Sequence, residues 1–286
     1  MRAGTSLRNL FFCFIAAMIW GLAFVAQAEG NVMGPLTFTC LRCFLGCLAL
    51  FPFIWFYYGE LRIDPETAKA GCISGILLTG GINLQQIGLL HTAPGKAGFI
   101  STLYIILVPV ISLLSGKNVK KTVFAAMVMG LCGLYLLCVP PGESITDINR
   151  WDIYVLVSSL VFTCQIMTVD HFAGKVQGIK MSLVQFIVCG TLSGIMMLIF
   201  EAPDAAAVRS GLIPLLFAGL CSTGIAYTLQ IIGQRNVNPS LASLVFSFES
   251  VFSVLGSWLI LGERLSLRET IGCGIMFAAV LVAQVL

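Results

Sequence analysis

Residues 84–88, Leu84-Gln85-Gln86-Ile87-Gly88, return 145 positions later as Leu229-Gln230-Ile231-Ile232-Gly233, and Pro94 and Ala97 are echoed at the same offset by Pro239 and Ala242. The chain reads as a duplicated unit, residues 1–145 and 146–286. Each unit holds five apolar segments. Because five is odd, the second unit enters a bilayer in the opposite direction to the first, an arrangement typical of transporters.

Hydrophobic residues make up 58% of the 286 positions and charged residues 10%, with a mean hydropathy of +0.98, whereas a soluble domain carries about 25% charge. The chain is therefore expected to be an integral membrane protein. The segments of the first unit are Leu10–Ala28, Leu36–Phe56, Ala70–Leu90, Gly95–Leu114 and Thr122–Val139. Those of the second are Ile153–Val169, Met181–Phe200, Gly211–Gly233, Leu241–Leu261 and Thr270–Leu286. Each is long enough for a helix through a hydrocarbon core of about 30 Å. The fold class expected is all-α, with ten transmembrane helices as two inverted five-helix repeats. Internal prolines and glycines do not oppose this, since packed neighbours satisfy freed backbone groups in a membrane.

With the N-terminus in the cytoplasm, ten lysines and arginines fall on that side, five on the other, and Arg42 within a helix. This bias places both termini inside, in the inner (plasma) membrane of a bacterial-type cell. Residues 1–28 imitate a secretory signal, with Arg2, Arg8 and the Ala26-Gln27-Ala28 triplet. The second unit retains a counterpart at Ile153–Val169, so the run is read as the first span. The net charge of +3 forms no basic stripe and excludes nucleic acid as a partner. Most of the eleven cysteines lie in apolar segments, where they behave as small hydrophobes and make no disulfide framework.

Several motifs resemble the ten-helix EamA-type branch of the drug/metabolite transporter superfamily over essentially the whole chain. They are Trp20-Gly21 followed by Phe24-Val25, Arg42 in the second helix, and the passage His91-Thr92-Ala93-Pro94-Gly95-Lys96-Ala97-Gly98-Phe99-Ile100-Ser101. The closing stretch adds Pro239-Ser240-Leu241-Ala242-Ser243, Phe248-Glu249-Ser250-Val251, Leu261-Gly262-Glu263-Arg264-Leu265-Ser266 and Gly272. Ser250 stands where the family commonly has proline, and Lys117-Asn118 where its first copy often has Gly-Glu, so a proline kink in the ninth helix is not carried over. The resemblance implies a monomeric or homodimeric carrier. Its central cavity would be lined mainly by helices one, three, four, six, eight and nine, with five and ten outside.

A charge at bilayer depth costs about 2.5–3.5 kcal/mol on insertion scales, so Arg42 and Glu249 each need a partner or a wet cavity. One reading joins them as an ion pair that locks one conformation. In the other, Glu249 faces substrate while Arg42, a structural or gating charge, bonds backbone carbonyls. Glu249 lies opposite Tyr104 at the repeat offset, and Gln85 and Gln230 form an amide pair at the same offset that would approach each other across the axis. Either amide can bind substrate or merely join helices, and Asn83 with Thr228 is a weaker pair of the same kind. Trp20, Phe24, Tyr104, Tyr227 and Phe248 supply aromatic faces for a cation or an apolar group, and Gln165, one turn after Phe162, makes that face more polar. The substrate-binding candidates are thus Trp20, Phe24, Gln85, Tyr104, Gln165, Tyr227, Gln230, Phe248 and Glu249.

Cys40, Cys43 and Cys47 share a helix face but lack a histidine or acidic companion at ligand spacing, so no metal or other cofactor is expected. Gly71 and Gly75, Gly130 and Gly133, and Gly190 and Gly194 suit close helix packing. An intramembrane enzyme would need a nucleophile–base pair or metal cluster, and neither is assembled. The expectation is a non-enzymatic secondary transporter, exporting amino acids or related small metabolites by alternating access, with lipid, a small-molecule substrate and protons as a coupling ion for partners. Carriage of quaternary ammonium or other organic cations is the alternative, and a lateral opening to the bilayer would favour a lipid-carrier flippase.

Overall fold

The computed structural model describes residues 7–92, 94–116, 119–139, 142, 149–256, 258–259 and 266–285. Lys117-Asn118, the Leu261-to-Leu265 part of the terminal motif and the side chain of Lys96 lie outside them. Every regular element among the described residues is helical. The first half contains α1 (Leu7–Gly30), α2 (Pro35–Tyr58), α3 (Pro65–Gly88), α4 (Pro94–Ser101), α5 (Tyr104–Leu114) and α6 (Lys121–Cys138). The second contains α7 (Arg150–Phe172), α8 (Gly178–Phe200), the short α9 (Ala205–Ser210), α10 (Leu212–Leu216), a π-helical stretch Phe217–Ala226, α11 (Tyr227–Gln234), α12 (Pro239–Phe246), α13 (Phe248–Gly256) and α14 (Leu267–Val285).

Eight helical passages among the described residues are long and apolar enough to cross a bilayer: 7–33, 35–58, 97–114, 121–138, 150–172, 178–200, 212–234 and 239–256. The chain is a multi-pass membrane protein. α3, although 24 residues long, is more polar because Asn83, Gln85 and Gln86 occupy its end. Proline at the first position of α2, α3 and α12 removes an amide that has no partner there in any helix. Asp64 and Asn238 cap α3 and α12 by accepting from Thr67 N and Ser240 N, each at 2.9 Å.

Two of the expected continuous helices are interrupted, and the interruptions occupy repeat-equivalent positions. Residues 95–114 break between α4 and α5 at Thr102-Leu103, and residues 239–256 break between α12 and α13 at Ser247. In each case a hydroxyl turns back on its own helix, Thr102 Oγ1 to Gly98 O and Ser247 Oγ to Leu244 O. Such back-bonding competes with the ladder and bends helices. The passage 239–256 is therefore interrupted without a proline at position 250. Ser250 instead places its hydroxyl 3.1 Å from that of Thr102, joining the two broken passages.

The tightest crossings run through glycine. A Cβ on Gly272 of α14 would lie 2.8 Å from Gly133 O and 2.9 Å from Leu137 N of α6, both backbone atoms. Gly71 and Gly75 bring α3 onto Val184 and Val188 of α8. Elsewhere α3 also packs along α7, α2 along α8 and the π-helical stretch, and α1 along α11 and α13. α1 is buried in the bundle at Cys13, Ala16, Ala17 and Ala23.

α2 and α8 are also tied at both ends. The Glu201 carboxylate accepts from Leu36 N and Thr37 N at 2.8 Å and from Thr37 Oγ1 at 2.6 Å, covering the N-terminus of α2. At the opposite end Lys180 donates to Arg62 O at 2.6 Å and lies over the Tyr58 ring, 4.8 Å from its centroid.

Substituting Gly272→Ala forces backbone apart from backbone at the α6–α14 crossing, whereas a Cβ on Gly274 meets nothing within 4 Å. Gly272→Ala is expected to cost about 1–3 kcal/mol and to lower the apparent melting temperature of the purified protein in detergent, with Gly274→Ala unchanged.

Candidate functional site

Between the two halves lies a cavity walled by α1, α2, α3, α5, α7, the π-helical stretch and α11 to α13. Its volume is about 40 Å³ for the centre of a water-sized sphere, room for a few waters. Small-molecule pockets run to about 300–1,000 Å³, so this cavity is small for a ligand site. Eight of the nine substrate-binding candidates border it: Trp20, Phe24, Gln85, Tyr104, Gln165, Tyr227, Gln230 and Glu249. Neither α6 nor α14 contributes to the wall, while α2 does, through Arg42.

Tyr104 Oη donates to Glu249 Oε1 at 2.9 Å, a contact between halves at the offset of 145. The broken helices make it possible, because each break lies two residues before the side chain it presents. Arg42 forms no ion pair with Glu249 and does not bond backbone carbonyls. Its Nε donates to Thr223 Oγ1 and its Nη2 to Ser222 Oγ, both at 2.9 Å. The two hydroxyls belong to the π-helical stretch, where α2 approaches closely: a Cβ on Gly46 would lie 2.7 Å from Thr223 Cγ2, and one on Gly219 2.6 Å from Leu45 Cβ.

The paired amides behave differently from one another. Gln230 Nε2 donates to Gln165 Oε1 at 3.0 Å, and Gln165 Nε2 lies 3.4 Å from Gln230 Oε1, Gln185 Oε1 and Ser74 Oγ. A hydrogen bond from Ser74 to Gln185 closes this buried network. Gln85 does not reach Gln230; its amide has no hydrogen-bond partner among the described residues and borders the cavity. Asn83 and Thr228 turn back to the carbonyls of Thr79 and Gly224, and Asn83 also donates to Ser193.

Phe248 is the candidate placed elsewhere. It borders a separate apolar pocket of about 550 Å³ at the outer surface of α1, α12, α13 and α14, with Arg8 at its rim. The Phe14 ring packs there against Phe248 and, beside it, against Phe252, with centroids 5.7 and 5.3 Å apart. Phe162 does line the central cavity, as do Gln27, Ile166, Ser222 and Phe246, which the sequence reading omits. Gln27 was accessible to it, lying one turn after Phe24 and two after Trp20. A third pair at the repeat offset, Trp20 with Gln165, also borders the cavity. The Trp20 ring packs against Tyr227 and Phe246 at 4.8 and 5.5 Å, and its buried Nε1 lacks a hydrogen-bond partner among the described residues.

Cys43 faces Cys189 across the α2–α8 contact, and among the described residues no group of three or more His, Cys, Asp or Glu side chains is placed to hold a metal ion. His91 stacks on Trp151 at 4.3 Å and His171 lies 3.1 Å from Lys175 Nζ, both away from the cavity.

Residues 7–139 and 149–284 each match the EamA-like transporter family. An uncharacterized transporter of Archaeoglobus fulgidus is 27% identical over 274 residues, covering 94% of this chain and 83% of the relative. The uncharacterized transporter YoaV of Bacillus subtilis is 28% identical over 275 residues, covering 90% and 92%. A crystal structure aligns with a TM-score of 0.82 at 19% identity, covering 97% of this chain and 98% of that one, and so shares its fold.

The two kinds of glutamine separate by substitution. Gln165→Leu removes both amide contacts of Gln230 with Gln165 and is expected to cost about 1 kcal/mol or more, lowering the apparent melting temperature. Gln85→Leu removes no protein hydrogen bond and should leave that temperature unchanged or raised.

Proposed function

The chain belongs to the EamA-like transporter family, and we propose that it is a secondary transporter exporting amino acids or related small metabolites by alternating access. The observation that carries the reading is the Tyr104–Glu249 contact within a small polar cavity between the halves. A carboxylate there offers an arriving ammonium group an opposite charge together with a charge-assisted hydrogen bond, where the Tyr104 hydroxyl brings a donor without a charge. Aromatic faces at Trp20, Tyr227 and Phe246 accept the rest of an amphipathic solute. Glu249 also serves as the carrier of a coupling proton, since protonation neutralises it when no substrate amine is bound.

The alternation is proposed to follow from two inverted five-helix repeats, 1–145 and 146–286, in a ten-helix fold with both termini cytoplasmic. Three features support it. One family matches both halves, and the helix breaks fall at Thr102 and Ser247, one offset apart. The helix pairings also exchange under the repeat: α3 against α7 corresponds to α11 and the π-helical stretch against α1, and α4 and α5 against α7 correspond to α13 against α1.

The Trp20–Tyr227–Phe246 aromatic cluster favours a second reading, carriage of an organic cation. Glu249→Gln keeps shape and hydrogen bonding while deleting the charge. In liposomes the variant is expected to lose at least about tenfold in transport of an amine-bearing substrate, or about 1.4 kcal/mol, with an unchanged melting temperature. Wild-type rate, affinity and pH dependence in that variant would remove Glu249 from the site.

A further inference from the structure

Arg42 is 2% exposed, and its guanidinium carries five N–H donors in a rigid fork. Nε and Nη2 are engaged by the Thr223 and Ser222 hydroxyls, which are neutral. The side chain borders the cavity, and Nη1 has no protein partner among the described residues. The one carboxylate on the same wall among the described residues, Glu249, spends one oxygen on Tyr104 and forms no ion pair with Arg42. One cavity is thus bordered by two opposite charges that do not neutralise each other.

That arrangement is costly unless something completes it. An enclosed guanidinium without a counter-ion loses its hydration, and the planar fork matches a carboxylate through two parallel hydrogen bonds. The Ser222 and Thr223 hydroxyls hydrogen-bond the Arg42 side chain and the Phe38 ring lies 5.8 Å from its guanidinium carbon, but none of these groups carries a charge, so none supplies a counter-ion. A molecule with an anionic and a cationic end would answer both wall charges at once. A simple amine would answer only one.

We propose that Arg42 is a specificity-determining residue that receives the substrate's carboxylate, so that the site takes zwitterions of the α-amino acid type in preference to simple cations. The proposal rests on the reading of Glu249 as the ammonium subsite. It adds a second pole to that site and gives Arg42 a role in recognition beyond holding α2 to the π-helical stretch. The aromatic side of the cavity then faces the substrate's variable group.

The test is equilibrium binding to purified protein in lipid nanodiscs, with the twenty L-amino acids as probes and, for each, its α-amide and its N-acetyl derivative. The α-amide keeps the amine and loses the carboxylate; the N-acetyl form does the reverse. The expected result is that at least one free amino acid binds about tenfold or more tighter than its amide. Arg42→Gln is then expected to erase that ratio, and Arg42→Lys to restore part of it. Amides that bind the wild-type protein as tightly as the acids would overturn the carboxylate role while leaving the Glu249 reading standing. N-acetyl derivatives binding as well as the free amino acids would overturn the Glu249 reading while leaving Arg42 in place. Absence of binding by any free amino acid would overturn both. The wild-type comparison needs no variant, so a failure of Arg42→Gln to fold does not shelter the proposal.

Discussion

A backbone amide or carbonyl inside hydrocarbon has no water to turn to, so the chain can be irregular only where other protein groups, or a cavity, receive what the helix releases. That constraint decides where this site is. The breaks at Thr102 and Ser247 are accompanied by hydroxyls that fold back on their own carbonyls, and the π-helical stretch is backed by α2 across glycine. All three irregularities abut the cavity, and between them they present Tyr104, Glu249 and Ser222 to it. Part of the cavity wall is thus built at or beside the few places where regular helix has been given up.

The sequence discloses this unevenly. The Leu-Gln-x-Ile-Gly echo and the placement of Glu249 opposite Tyr104 are periodic signals, and the hydrogen bond between those two side chains lies where the offset puts it. The breaks give no comparable signal, because a threonine and a serine in apolar runs are also ordinary helix residues. Nor does the composition of residues 217–226 mark a π-helix, so the partners of Arg42 were out of reach. Phe248 illustrates a simpler limit: adjacent residues on a helix project about 100° apart, and a neighbour of Glu249 therefore faces a different wall.

The duplicated positions have been put to unequal use. Gln165 and Gln230 bond each other, while their counterparts Trp20 and Gln85 leave an indole N–H and an amide without hydrogen-bond partners among the described residues. Polar groups left over in an enclosed space are costly unless water or a ligand meets them. The amides of the second half thus bond each other, whereas those two polar groups of the first half are open to a visitor's hydrogen bonds.

The clasp of Glu201 on the start of α2 bears on how the chain is made. The amide of Leu36 is completed by a carboxylate 165 residues downstream. During synthesis the first half must therefore wait in the bilayer with the leading turn of α2 uncapped until α8 has been threaded and its far end has emerged. The order of translation and the order of completion are opposed at this point: one of the earliest helices to enter the membrane is among the last to be finished. The two halves thus mature as one interdependent assembly, sealed by a residue from the later half.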